Sequence, residues 1–317
     1  MSRTLVHSTA ASQYFAEDIA RQLGCEMLPT ERRVFGDGEK YLRIQSKDRN
    51  ALMGASSIFV ASTNTDDDFL ELCRIGSGLA GYGTRRRIFV IPFFGYSTME
   101  RAVQPGEIVT AKVNARILSG IPNTSMGNAF LMMDLHVSGL VHYFEGDCFR
   151  AEVYAEQVLI KEIEKLGLDM EKCMFGSADL GRPRWIRTFA NYFGSKKIAL
   201  IDKVRAFEET EVEYVIGDVN GKIVIIYDDM ARSCKSVINA AKAYLAAGAL
   251  EVIFVTSHLA FNDEASIDRI IACPFISKVI GTNSHPMSQH HKVKDSRKFV
   301  VANASGAFIP CIQDLLR

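Results

Sequence analysis

The sequence lacks net charge. Lys plus Arg and Asp plus Glu each number 37, so no global field gathers nucleic acid or an acidic membrane, and neither is expected as a partner. It also lacks paired cysteine spacing. The seven cysteines, Cys25, Cys73, Cys148, Cys173, Cys234, Cys273 and Cys311, include no CxxC. Zinc and disulfide frameworks are therefore disfavoured, and a reducing, cytoplasmic compartment is the simpler expectation. The opening MSRTLVHSTAASQ has no apolar h-region, so no secretory leader is expected. No apolar run reaches the roughly 18 residues that a membrane span needs. What is present suits a full core: 48% hydrophobic and 23% charged residues over 317 positions. That length suggests about two domains.

Short apolar runs alternate with helical periodicity along the whole chain, which predicts an α/β fold with mostly parallel sheets. In the first half, strands are expected at 57–62, 87–92 and 129–133, with helices at 66–80 and 108–118. In the second half, strands are expected at 174–177, 198–201, 223–227, 252–256, 279–282 and 299–302, with helices at 183–192, 237–247 and 309–316. The repeated rhythm predicts two tandem doubly wound domains, 1–147 and 148–317, although no Pro/Gly linker marks the seam. Sites in such sheets lie beyond the carboxyl ends of the strands. On this reading Asp134, His136, Asp179, Asp202, Lys203, Asp228 and Asp229 all directly follow strands.

One stretch stands out, residues 222–248, KIVIIYDDMARSCKSVINAAKAYLAAG. A buried-strand run leads into Asp228 and Asp229, then a polar turn of Arg232, Ser233, Cys234, Lys235 and Ser236, then a helix that Gly248 can close. The helix's first amides can take a phosphate, and the carboxylates can take sugar hydroxyls or a hydrated metal ion. Acidic strand ends are common, so this layout alone does not decide the matter. The glycines that usually crowd a phosphate are missing, with Cys234 and Lys235 in their place.

Other stretches are equally open when read singly. Phe35-Gly36-Asp37-Gly38-Glu39 reads as a tight turn between strands. Asp134-Leu135-His136 places a carboxylate and an imidazole at a strand end, where a lone histidine is more often a satisfied structural residue than a ligand. The residues after Ile201 form a charged loop with Lys203 and Arg205 at its root, either a solvated surface loop or a cationic lid over a transferred phosphoryl group. Residues 284–292, SHPMSQHHK, hold three of the seven histidines and read as an exposed loop.

Taken in order, these segments resemble one family, the ribose-phosphate diphosphokinases (phosphoribosyl pyrophosphate synthetases), over about 30–316. FGDGE at 35–39 is similar to the family's adenine-binding turn, and FFGYSTMER at 93–101 with TAK at 110–112 resembles its nucleotide loop. MDLH at 133–136 and SADLG at 177–181 resemble its two magnesium segments. DKVR at 202–205 resembles the catalytic loop, and 217–230 the strand leading to the ribose-phosphate loop. The family's Asp-Thr-Gly-Gly-Thr loop is here Arg-Ser-Cys-Lys-Ser, and its Ala-Arg-Gln-Asp is Ser97-Thr98-Met99-Glu100. The chain thus reads as a divergent member.

The resemblance implies two domains of the phosphoribosyltransferase type. It implies transfer of the diphosphoryl group of ATP to the anomeric hydroxyl of ribose 5-phosphate. Lys203 and Arg205 would be catalytic. Phe35, Asp37, Glu39, Arg101 and His136 would bind ATP, and His136 and Asp179 would position Mg2+. Asp228, Asp229 and the turn from Arg232 to Ser236 would hold the sugar phosphate. It further implies a homo-oligomer, a hexamer built from dimers. Two rival readings are a non-catalytic regulatory homologue, favoured by the altered turn, and a phosphoribosyltransferase, which shares the acidic strand end.

Overall fold

A computed structural model describes residues 3–46, 48, 50–180, 183–195, 197–205 and 210–317. The side chains at 183, 184, 203–205 and 210–213 lie outside that description. The chain divides into two compact units, Met1–Tyr154 with Ala304–Arg317, and Ala155–Asn303.

The first unit runs β1 (Thr4–Ser8), α1 (Gln13–Leu23), β2 (Glu26–Met27), β3 (Thr30–Val34), β4 (Lys40–Ile44), β5 (Ser56–Val60), α2 (Asp66–Gly81), β6 (Arg86–Ile91), α3 (Thr110–Ser119), β7 (Asn128–Met133) and β8 (Cys148–Val153). Its main sheet has the order β2-β1-β5-β6-β7-β8, and every pair is parallel. β5 and β7 are buried along their whole length, which is why they read as apolar runs after Ser56-Ser57 and Asn128 respectively. β3 and β4 form a separate antiparallel hairpin. α2 starts where Thr65 accepts a hydrogen bond from the Asp68 amide at 3.2 Å, with three aspartates in the first turn favoured by the helix dipole.

The second unit runs α4 (Glu156–Glu164), β9 (Cys173–Ser177), α5 (Pro183–Tyr192), β10 (Ile198–Arg205), β11 (Thr210–Ile216), β12 (Ile223–Met230), α6 (Lys235–Ala246), β13 (Glu251–His258), α7 (Glu264–Ala272), β14 (Lys278–Thr282), α8 (His291–Asp295) and β15 (Phe299–Ala302). Its sheet has the order β11-β10-β9-β12-β13-β14-β15, parallel except for the β10–β11 hairpin. β12 is thus a central strand, and its core contacts include Val224 and Ile226 against α6 residues Val237, Ala241 and Tyr244.

Two expectations about the division change. The seam falls at Tyr154/Ala155 rather than after residue 147, because Cys148–Val153 pairs in register with β7, Asn128 opposite Cys148 through Met133 opposite Val153. The last helix, α9 (Ile309–Leu316), belongs to the first unit, not the second. Just ahead of it Phe308 is fully buried with its ring 5.8 Å from that of Phe15 on α1, and Gln22 donates to Ser305 Oγ at 2.6 Å.

Candidate active site

In the second unit the acidic pair lies within the strand rather than after it. β12 extends to Met230, with Asp228 half-buried and Asp229 buried near its carboxyl end. The Asp229 amide donates to Asp228 Oδ1 at 2.9 Å, which holds the Asp228 carboxylate against the strand's own backbone. The strand is extended because β13 pairs with it as far as Met230 opposite His258, and the Ala231 amide then donates to the His258 carbonyl at 2.9 Å. The chain next turns through Arg232 and Ser233 to Cys234, which takes the left-handed conformation at φ 61°, ψ 2° and caps α6 without a side-chain bond.

Glycine would adopt that backbone freely. A left-handed residue with a Cβ is strained, and this chain carries a cysteine in that conformation. The Cys234 thiol is buried, which pushes it up to about 12, so it stays protonated. Lys235 and Ser236 form the exposed first turn of α6, with amide donors that no helical carbonyl can take. Arg232 and Ser233 are half-buried beside them. The sequence-predicted turn is therefore real, and the structure brings Asp228, Asp229, Arg232, Ser233, Cys234, Lys235 and Ser236 together around one strand end. Gly248 just past α6 does adopt a positive φ, 96°, and a Cβ there would meet Asn220 Oδ1 at 2.5 Å.

Sequence reasoning missed a buried polar cluster beside this turn. His258 Nδ1 lies 2.7 Å from Ser284 Oγ, and Thr282 Oγ1 donates to the Ser257 carbonyl at 2.6 Å. His285 is also buried, with its pKa lowered to about 3 by burial and then by His258 and Arg232. The stretch 284–292 is thus not an exposed loop. It holds buried Ser284, His285 and Ser288, a short 3-10 turn (Pro286–Gln289) and the start of α8. Its polar composition hid its burial, because the polar groups satisfy one another.

Lys203 and Arg205 sit on β10, whose backbone pairs antiparallel with β11, Lys203 opposite Val212 and Arg205 opposite Thr210. Asp202 and Lys203 therefore lie inside the strand rather than in a loop after it. The side chains of Lys203 and Arg205, and residues 206–209, lie outside the described residues. Asp179 is exposed just beyond β9, where Ser177 Oγ donates to its carbonyl; Gly181 lies outside the described residues.

In the first unit, Phe35, Asp37 and Glu39 form the exposed tip of the β3–β4 hairpin. The Phe35 amide donates to the Glu39 carbonyl at 2.9 Å, and Gly38 takes a φ of 89°. Phe35 is 50% exposed, with its ring edge to face against Tyr41 of the same hairpin at 6.1 Å. At the carboxyl end of β7, Asp134 is buried at φ 37°, followed by half-exposed His136. The Leu135 amide donates to Glu152 Oε1 at 2.9 Å, which fixes this strand end against β8. Arg101 is 78% exposed, 3.4 Å from Glu100. Tyr96, at φ 61°, donates to Asp66 Oδ1 at 2.6 Å, and that bond holds its phenol above its usual range.

Residues 4–121 match the family model for the N-terminal domain of ribose phosphate pyrophosphokinase, and 197–305 that for the phosphoribosyl synthetase-associated domain. Among curated proteins, the ribose-phosphate pyrophosphokinase of Prochlorococcus marinus subsp. pastoris is 32% identical over 313 residues, 97% of this chain and 90% of the relative. That of Gloeobacter violaceus is 33% identical over 312 residues, 97% and 89% respectively. The crystal structure of phosphoribosylpyrophosphate synthetase from Mycobacterium smegmatis superposes with a TM-score of 0.84 at 20% identity, covering 99% of each chain.

Proposed function

The chain belongs to the ribose-phosphate pyrophosphokinase family, and from that premise we propose that it forms phosphoribosyl pyrophosphate and AMP from ribose 5-phosphate and ATP. The observation that carries this is the end of β12, where an acidic pair, a left-handed turn and the first turn of α6 follow within nine residues.

The anomeric hydroxyl oxygen of the sugar attacks the β-phosphorus of ATP. The new O–Pβ bond forms as the bond from Pβ to the bridging α–β oxygen breaks. AMP leaves with that oxygen, and the hydroxyl proton passes to solvent. Asp228 and Asp229 accept hydrogen bonds from the ribose 2- and 3-hydroxyls. The amides of the 232–236 turn, with the charges of Arg232 and Lys235, take the 5-phosphate. Charge here replaces the backbone approach that glycine would allow.

Phe35, Asp37 and Glu39 of one subunit meet the adenine bound by its neighbour, which makes the active form a homo-oligomer, a hexamer built from dimers. Arg101 and His136 serve the nucleotide of their own subunit. Lys203 and Arg205 stabilise charge on the transferred group as it redistributes, where positioning and electrostatics supply most of the acceleration.

The described residues contain no group of three or more His, Cys, Asp or Glu able to cage a metal. A hydrated Mg2+ that takes its remaining oxygen ligands from the nucleotide fits the imidazole of His136 in the first unit, and a second hydrated Mg2+ fits the exposed carboxylate of Asp179 in the second. Bound there, the ions would neutralise triphosphate charge.

All seven cysteines are free thiols, and no described helix is long and apolar enough to cross a membrane; both suit a cytoplasmic enzyme. The test is AMP release from ATP with and without ribose 5-phosphate. Sugar-dependent AMP release is expected; its absence in folded, magnesium-supplied protein would refute the activity.

A further inference from the structure

We propose that Arg269 is a positioning residue that holds the 232–236 turn in its phosphate-binding shape. The proposal rests on reading that turn as the sugar-phosphate site. Arg269 lies on α7, 36 residues beyond the turn, and its Nη1 donates to the Ser233 carbonyl at 2.6 Å. That carbonyl belongs to the peptide immediately before Cys234, the residue in the left-handed conformation.

The contact matters because of what Cys234 lacks. Glycine adopts a φ of 61° without strain, whereas a residue with a Cβ needs its neighbours to enforce it. Cys234 does not supply this itself: its side chain makes no capping bond, and Sγ is directed back to the Arg232 carbonyl at 3.9 Å. A peptide unit is planar, with its C=O and N–H on opposite sides. Fixing the Ser233 oxygen toward α7 therefore turns the Cys234 N–H the other way and sets the path into the first turn of α6.

The anchor is itself held. Asp263 caps α7, accepting from the Ser266 amide at 2.7 Å. Lys292 of α8 reaches Glu264 at 2.7 Å and Asp268, the neighbour of Arg269, at 2.6 Å. Arg269 also adds a positive charge next to a turn that already carries Arg232 and Lys235. It is close enough to Cys234 to oppose the burial that pushes the thiol up.

The experiment is steady-state AMP release by the full-length enzyme, comparing Arg269→Met and Arg269→Lys, each alone and combined with Cys234→Gly. Arg269→Met is expected to raise KM for ribose 5-phosphate about tenfold, near 1.4 kcal/mol, and leave KM for ATP within about twofold. Arg269→Lys, which keeps the charge but loses the fork, should fall between. Adding Cys234→Gly should shrink the Arg269→Met effect to about threefold or less, because glycine holds the turn without an enforced peptide.

An unchanged sugar KM in folded Arg269→Met overturns the proposal. So does an equal loss for both substrates that Cys234→Gly does not relieve, which would mark a merely structural residue. If Arg269→Met does not fold, the Arg269→Lys and Cys234→Gly pair decides: coupled effects support the role, additive effects overturn it. Lys235→Ala, measured alongside, separates the two levels. A raised sugar KM for Lys235→Ala with none for Arg269→Met removes only the role of Arg269. No change in either removes the turn as the phosphate site, and this proposal with it.

Discussion

At the scale of single residues, the chemistry falls to a few side chains whose surroundings set their charge. On the proposed role, Lys203 would act on charge that moves during phosphoryl transfer, and its effect would belong to the transition state. Lys203→Ala is expected to lower kcat by about 100-fold or more while nucleotide binding stays nearly intact, read by single-turnover kinetics and nucleotide titration. His7 behaves in the opposite sense, as a group the fold keeps neutral. It is fully buried on β1, its Nε2 is 3.4 Å from Ser57 Oγ, and burial lowers its pKa from 6.5 to about 4. Between those values the unfolded chain binds the proton and the folded chain does not, so stability rises with pH. The contribution is complete above about pH 6.5 and lost as pH falls to about 4, an effect of up to about 3 kcal/mol. Urea unfolding from pH 7 to 4.5 should show it, and His7→Phe should flatten the profile.

At the scale of elements, a close backbone approach and a side-chain bond together set the loop that follows β6. After β6 the chain passes through Phe93, Phe94 and Gly95, where the Thr63 amide donates to the Phe93 carbonyl at 2.9 Å. The Gly95 amide donates to Thr63 Oγ1 at 2.8 Å, and a Cβ on Gly95 would lie 1.8 Å from the Thr63 carbonyl oxygen. The obstacle is backbone, which cannot rotate away. Gly95→Ala is therefore expected to cost about 3 kcal/mol of stability. Gly36→Ala, where no atom lies within 4 Å of the added methyl, should cost less than about 0.5 kcal/mol. Urea midpoints of the two variants check this. Gly95 in the sequence motif is thus a packing requirement of the loop.

At the scale of the whole molecule, sequence order and spatial order part company. The last fourteen residues, Ala304–Arg317, complete the first unit. Phe308 and Ile312 are fully buried there, and Phe308 meets Phe15 edge to face. Phe308→Ala should destabilise that unit by about 3 to 5 kcal/mol. Hydrogen exchange is expected to rise in β1 and α1, which α9 supports, before it rises in α6 and β12. A rise centred on the second unit would contradict the assignment of α9. The buried Arg87 belongs to the same scale. It donates to the carbonyls of Gly76 and Pro122 and, at 2.7 Å, to Asn128 Oδ1, tying α2 and the segment after α3 to β7. Burial lowers its pKa to about 10, so it keeps its charge at neutral pH.

The sequence by itself determined the local elements and the order of the site. The apolar runs at 223–227 and 129–133 are long and β-branched or bulky enough to be buried on both faces. Pro183 opening a helix and the acids at 66–68 mark helix starts by capping chemistry that acts within one turn. The acidic pair and the turn were legible because strand, carboxylates and helix are contiguous. Tertiary structure alone decided which segments joined which sheet. CFRAEV alternates from Phe149 to Val153, a pattern that fits a strand of either unit, so only its in-register pairing with β7 makes it a strand of the first. Asp228 lies within β12 because β13 pairs beyond it. Arg269 reaches Ser233, and His285 is buried beside Arg232, through contacts between segments 36 and 53 residues apart in sequence. Periodicity reports how one segment meets a generic apolar interior. Register, burial of polar clusters and enforced left-handed turns depend on distant partners, which exist only once the chain has packed.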